Sequence, residues 1–207
     1  MNNSTQTYQR LFGLRFGSLF AAIVSFVWIG LLSMYMSEPW QAKLLPALGI
    51  AIVSTVVWWA ITIVTCRMPP HKKLPYMSSG KFWAIFYAII VVEVIIIFAF
   101  IQFFNMHGLP EAMWPTIVIV VALHWIPLGM MNGIKEWWGV SALICGLSIA
   151  ALVLAKHDQT TNLLGVDANI WGLVSTAAMV GVMLLAAVVF QFLYVQTWRR
   201  AVTGKKR

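Results

Sequence analysis

The chain has 207 residues, of which 61% are hydrophobic and 10% are charged, and it carries a net charge of +8. A soluble domain carries about 25% charged residues, so these charged side chains are too few to cover a water-facing surface. The composition excludes a soluble globular domain. It predicts an all-α membrane protein, because backbone groups in lipid are satisfied within helices.

Six apolar segments follow one another along residues 1–207 and predict a single transmembrane domain. In chain order, the expected spans are 14–36, 45–66, 82–104, 114–131, 139–155 and 170–196. A hydrocarbon core of about 30 Å needs about 20 helical residues. The fourth and fifth spans are short, so a re-entrant pair is the alternative there. Two crossings are the simpler prediction, which gives a polytopic bundle of about six transmembrane helices.

Lysine and arginine are distributed unevenly over the connecting segments. All but two of the 14 basic residues share one side if the spans alternate in direction, namely Arg10, Arg15, Arg67, Lys72, Lys73, Lys81, Lys135, Arg199, Arg200, Lys205, Lys206 and Arg207. The other side holds Lys43 and Lys156, together with the acidic residues Glu38, Glu111, Asp158 and Asp167. Basic loops stay cytoplasmic. Both termini are therefore predicted to be cytoplasmic, in a multi-pass protein of the plasma membrane, of the bacterial inner-membrane type.

The same basic residues indicate which partners to expect. They border apolar spans, so they favour contacts with the lipid bilayer and with anionic headgroups rather than with nucleic acid. The stripe of small residues Ala142, Gly146 and Ala150 lets helices approach closely, either inside the bundle or in a homo-oligomer or complex with another membrane protein. Cys66 and Cys145 lack CxxC spacing, and no phosphate loop or dinucleotide fingerprint occurs. We expect no cofactor and no metal.

Glu93 interrupts the third apolar run at its midpoint. An acidic residue at the centre of a transmembrane helix costs about 2.5–3.5 kcal/mol on insertion scales. The carboxyl group must therefore be protonated, paired, or exposed to a wet cavity. It is a candidate for a proton relay or a cation site. Alternatively, a neutral Glu93 holds helices together by hydrogen bonding.

His124 lies ten residues inside the fourth span, at a depth similar to that of Glu93. The third and fourth spans are consecutive, so we expect them to be antiparallel neighbours, and the two side chains could share a proton. The alternative is a neutral histidine that bonds to a backbone carbonyl or a hydroxyl group.

Pro127 marks the fourth span as unusual. Proline donates no backbone hydrogen bond, which frees the carbonyl of Leu123 beside His124 and predicts a kink there. Trp125 lies in the middle of the same span, where it could line a pocket or simply pack. Together, Glu93, His124, Pro127 and Trp125 form the predicted proton-relay or ligand-binding site, without a catalytic nucleophile.

The stretch His124-Trp125-Ile126-Pro127-Leu128 resembles one found in a type of small bacterial inner-membrane protein. Those proteins have about six helices, a His-aromatic-x-Pro-Leu stretch in a middle helix and often an acidic residue in the preceding helix, where this chain has Glu93. The resemblance covers the third and fourth spans and implies no particular activity. In size and helix count the chain is also similar to the substrate-binding subunits of energy-coupling-factor vitamin transporters, in architecture alone.

Two functions remain open at the level of sequence. The first is a proton-coupled transporter or channel for a small solute, which predicts a wet cavity that exposes Glu93 and His124. The second is a non-catalytic membrane subunit with a role in assembly, immunity or stress, which predicts a dry, closed bundle. An intramembrane enzyme ranks last, because the sequence offers no clustered nucleophile or metal site.

Overall fold

The computed structural model describes residues 3–67, 80–131, 134–162 and 165–203. Most of these residues form six α-helices: α1 (Asn3–Ser33), α2 (Glu38–Thr65), α3 (Gly80–Met106), α4 (Met113–Met131), α5 (Trp137–Leu154) and α6 (Ile170–Thr203). A 3₁₀ turn, Pro110–Ala112, precedes α4. The short strands β1 (Thr160–Thr161) and β2 (Ala168–Asn169) pair antiparallel before α6.

All six helices are long enough and apolar enough to cross a membrane. The chain is therefore a polytopic, all-α, multi-pass membrane protein, as its composition predicted. The helices α1 and α6 extend beyond the predicted spans 14–36 and 170–196, because hydropathy marks the apolar part of a helix and not its polar turns. The first span also ends early, since Met34–Met36 form a turn after Ser33.

The helices α4 and α5 are continuous over 19 and 18 residues. This is the arrangement expected for two crossings rather than for a re-entrant pair. The basic residues Lys72, Lys73, Lys205, Lys206 and Arg207, and the side chain of Lys81, lie outside the described part of the chain.

Local sequence explains several helix boundaries. Glu38 and Pro39 occupy the first turn of α2, where a carboxylate and a missing N–H are both favourable. The side-chain oxygen of Asn169 accepts hydrogen bonds from the backbone N–H groups of Trp171 at 2.9 Å and Gly172 at 3.4 Å. Asn169 thereby caps the start of α6.

The central helix of the bundle is α6, which packs against α1, α2, α4 and α5. Within its most apolar window, 56% of the residues are buried, compared with 6% for α3. The helix α3 lies at the periphery and packs mainly against α4. Most of its surface is therefore left uncovered by the described part of the chain.

The interface between α1 and α6 shows how the core is held together. Ser18 donates a hydrogen bond of 2.8 Å to the carbonyl of Ala187, and a Cβ added at Gly17 would lie 3.2 Å from the Phe190 ring. Small residues thus allow close helix approach at this contact. In contrast, Gly146 on α5 has no described neighbour within 4 Å of such a Cβ. Internal packing is therefore the wrong interpretation for that glycine.

Contacts between helix ends define the direction of each crossing. Gln9, near the start of α1, donates to the carbonyl of Met131 at the end of α4. Trp198, near the end of α6, donates to the carbonyl of Arg67 after α2. Trp59, in the second half of α2, donates to the carbonyl of Arg15 in the first half of α1. The start of α1 and the end of α6 therefore lie at the same end of the bundle. The described basic residues at this end are Arg10, Arg15, Arg67, Lys135, Arg199 and Arg200. That this end faces the cytoplasm stays a prediction.

Candidate functional site

A groove of about 540 Å³ lies between α3 and α4. Two of its residues are polar, Glu93 and His124. The other lining residues are apolar: Ile85, Ala88, Ile89, Val92, Ile96, Val120, Leu123 and Pro127. We call this the α3–α4 groove. It opens at the surface of the bundle, since Val92 and Leu123 are 54% and 49% exposed.

Glu93 and His124 meet within this groove. Nδ1 of His124 lies 3.0 Å from Oε1 of Glu93, and the two side chains are only 12% and 11% exposed. The two atoms are at hydrogen-bonding distance, but Nδ1 has no well-aligned acceptor among the described residues. The contact is therefore a close approach of two polar groups whose angles depart from those of a good hydrogen bond.

The chain reversal between α3 and α4 explains why the two residues lie at the same depth. The helix α3 ends at Met106, and Gly108, two residues beyond it, has a φ of +66°. The backbone N–H of Leu109 bonds to the carbonyl of Phe104, and that of Gly108 to the carbonyl of Asn105. This is a Schellman ending, which requires a left-handed residue. Glu93 lies 15 residues before Gly108 and His124 lies 16 residues after it, so the two arms of the hairpin match.

Bonds on the opposite face of α4 fix its rotation. Ser141 of α5 donates a hydrogen bond of 2.7 Å to the carbonyl of Ala122. A Cβ added at Gly129 would lie 2.6 Å from Cβ of Trp137, so α5 approaches α4 very closely there. With that face held against α5, His124 is directed toward α3.

The other two predicted site residues have different positions. Pro127 lines the groove one turn from His124, and α4 remains helical through it. Trp125 does not line the groove. It is 1% exposed and contacts Phe20 edge-on, with ring centroids 6.4 Å apart, and Trp137, with centroids 5.4 Å apart. Trp125 is thus a core residue that anchors α4 to α1 and α5.

The apolar walls of the groove were missed at the level of sequence. On α3 they recur at spacings of three and four residues around Glu93, and on α4 around His124. This is the period of one helix face. A helical-wheel projection of each helix would have identified these apolar residues as the ones on the same face as Glu93 or His124.

The arrangement can hold one proton on a buried acid–base pair, next to an apolar space of ligand size. Among the described residues, no group of three or more His, Cys, Asp or Glu side chains is placed to hold a metal ion. No family model, curated protein or solved structure is significantly similar to this chain. Its function has to be inferred from the groove itself.

Proposed function

We propose that the protein is a proton-coupled transporter of a small hydrophobic solute and that the α3–α4 groove is its binding site. The observation that carries this proposal is the 3.0 Å approach of Glu93 and His124 inside an apolar groove. Groups that titrate within a membrane commonly form proton pathways and substrate sites.

The surroundings of the pair argue for a role beyond packing. Burying two ionisable groups in an apolar medium gains little stability over apolar side chains of the same size. Here the pair also borders a space of about 540 Å³, within the range of about 300–1,000 Å³ that small-molecule sites occupy. A purely structural pair needs no such space beside it.

The walls of the groove favour a hydrophobic solute over a hydrophilic one. Apart from Glu93 and His124, the lining side chains offer no hydrogen-bonding group. A sugar or an amino acid would leave most of its polar atoms unsatisfied there, at a cost of about 1–3 kcal/mol for each group. A hydrophobic solute can instead enter sideways from the acyl chains, past the half-exposed Val92 and Leu123.

Transport in proteoliposomes tests the proposal. Vesicles with an acidic interior are given hydrophobic solutes of neutral, anionic and cationic charge, and uptake is followed by mass spectrometry. We expect at least one solute to accumulate only while the pH gradient persists. Glu93→Gln should abolish this accumulation. Glu136→Gln, an acid-to-amide change outside the groove, should preserve it. Equal uptake by the wild type, Glu93→Gln and empty vesicles would overturn the proposal.

A partner-binding subunit is the second candidate. It is favoured by the peripheral position of α3, whose most apolar window is only 6% buried. A partner helix could cover α3 and the groove together. This candidate predicts a stoichiometric partner on purification in mild detergent. It also predicts that Glu93→Gln releases that partner, with no change in solute uptake.

A further inference from the structure

We infer that the solute is a monovalent lipophilic cation, such as a protonated or quaternary amine, which replaces the proton held between Glu93 and His124. This inference rests on the proposed function and names its substrate class. It follows from three properties of the α3–α4 groove: its charge, its donor set and its walls.

The charge of the groove selects a cation. With one shared proton, the pair is neutral in sum, either as carboxylate and imidazolium or as carboxylic acid and imidazole. When that proton leaves, one negative charge remains in a weakly polar environment, which is costly. A monovalent cation restores neutrality, whereas an anion would add to the charge. Binding of the cation and of the proton is therefore mutually exclusive, and one proton is released for each cation bound.

The donor set argues against an inorganic cation. Sodium or calcium needs several oxygen ligands in place of its hydration shell, six to eight for calcium. Among the lining side chains, the carboxyl group of Glu93 is the only oxygen donor. A quaternary organic cation spreads its charge over an apolar body and keeps no tightly bound water, and a protonated amine can donate its N–H to the carboxylate in place of water. Either cation therefore requires one counter-charge and an apolar surround, which is what these side chains provide.

No other described ionisable group lines the groove. On α3 and α4 themselves, Tyr87 lies about two turns from Glu93 and outside the lining. The titratable or charged groups on the elements and segments next to α3 and α4 also lie outside the lining, namely Tyr8, Arg10, Arg15, His107, Glu111, Lys135, Glu136, Cys145, Tyr194, Arg199 and Arg200. Exchange in the groove is thus assigned to Glu93 and His124.

A pair of probes with the same shape and opposite charge tests the inference. Tetraphenylphosphonium is a lipophilic cation, and tetraphenylborate is its anionic counterpart. Binding of each to the purified protein in detergent is measured by titration calorimetry. Buffers of different ionisation enthalpy report the protons released, and empty micelles give the partition background.

We expect tetraphenylphosphonium to bind and to release about one proton. Its affinity should rise about tenfold per pH unit while the pair retains its proton, as linkage to one proton requires. Tetraphenylborate should show no binding above the micelle background. Glu93→Gln should lower the affinity for the cation at least tenfold and abolish proton release. Glu136→Gln should bind the cation as the wild type does.

Leu123→Trp supplies a second variant in case Glu93→Gln fails to fold. Leu123 is half exposed at the groove wall, so an indole there fills the space and leaves both ionisable groups in place. We expect Leu123→Trp to prevent binding of tetraphenylphosphonium. Binding without proton release, or equal binding of both probes, would overturn the inference. If a neutral or anionic solute is nevertheless transported with protons, the cation assignment fails while the proposed function stands.

Discussion

Nδ1 of His124 lies 3.0 Å from Oε1 of Glu93, across the interface between α4, whose most apolar window is 28% buried, and α3, whose window is only 6% buried. This contact is the main polar link in an otherwise apolar interface. It therefore bears on stability as well as on function, and the two effects can be separated.

A double-mutant cycle measures the energy of this contact. We expect Glu93→Gln and His124→Gln each to lower the free energy of unfolding by about 1–3 kcal/mol, because each leaves the other member of the pair without its polar neighbour in an apolar environment. The loss of unfolding free energy in the double variant should be much smaller than the sum of the losses in the two single variants. Unfolding in mixed detergent–SDS micelles provides the measurement. Strict additivity would show that the two side chains do not interact.

Gly129 is required by the close approach of α5. A Cβ at this position would lie 2.6 Å from Cβ of Trp137 and 2.8 Å from the carbonyl oxygen of Ile134. These atoms cannot move aside without shifting backbone, so Gly129→Ala should destabilise the protein by about 1–3 kcal/mol. Gly146→Ala is the matched control, since nothing described lies within 4 Å of its added Cβ. Similar thermal unfolding of the two variants would contradict this packing.

Gly108 lies at the chain reversal that brings Glu93 of α3 and His124 of α4 to the same depth. Its φ of +66° costs about 1–2 kcal/mol for most L-residues, and less for asparagine. No described atom lies within 4 Å of a Cβ added at this position, so backbone strain distinguishes the variants. We expect Gly108→Val to lower the unfolding temperature clearly and Gly108→Asn to retain most of the stability. Equal effects of the two substitutions would exclude a strain mechanism.

Arg10 and Glu136 form an ion pair where the start of α1 meets the segment before α5. Their side chains are 36% and 28% exposed, and partly exposed pairs of this kind contribute about 0–1 kcal/mol. Glu136→Gln should therefore have a small effect on unfolding, and added salt should diminish it further. A loss well above 1 kcal/mol would mean that the pair is less solvated than its exposure indicates.

The number of crossings and the depth of Glu93 and His124 could be predicted from sequence, because both depend on the length of apolar runs. The contact between the two residues could not. It depends on the rotation of α4 about its axis. That rotation is set on the opposite face of the helix, by the hydrogen bond from Ser141 and the close packing of Trp137. Hydropathy carries no information about that face when the helix is apolar all round.

Trp125 also shows that sequence alone does not determine which way a side chain points from a helix. It is adjacent to His124 in sequence, so the two were predicted to share a site. Successive residues on a helix point about 100° apart, and the structure places Trp125 among Phe20 and Trp137. Trp125 therefore shares the helix of His124 without lining the α3–α4 groove.

The peripheral position of α3 has a consequence for biosynthesis. Helices emerge from the ribosome in chain order, so α3 reaches the translocation machinery before α4. During that interval, Glu93 has no imidazole beside it, and a lone acid at a helix centre costs about 2.5–3.5 kcal/mol on insertion. Partitioning of α3 and α4 as one hairpin, reversed at Gly108, avoids this cost. Arrival of the fourth helix thus lowers the cost of holding Glu93 in the bilayer.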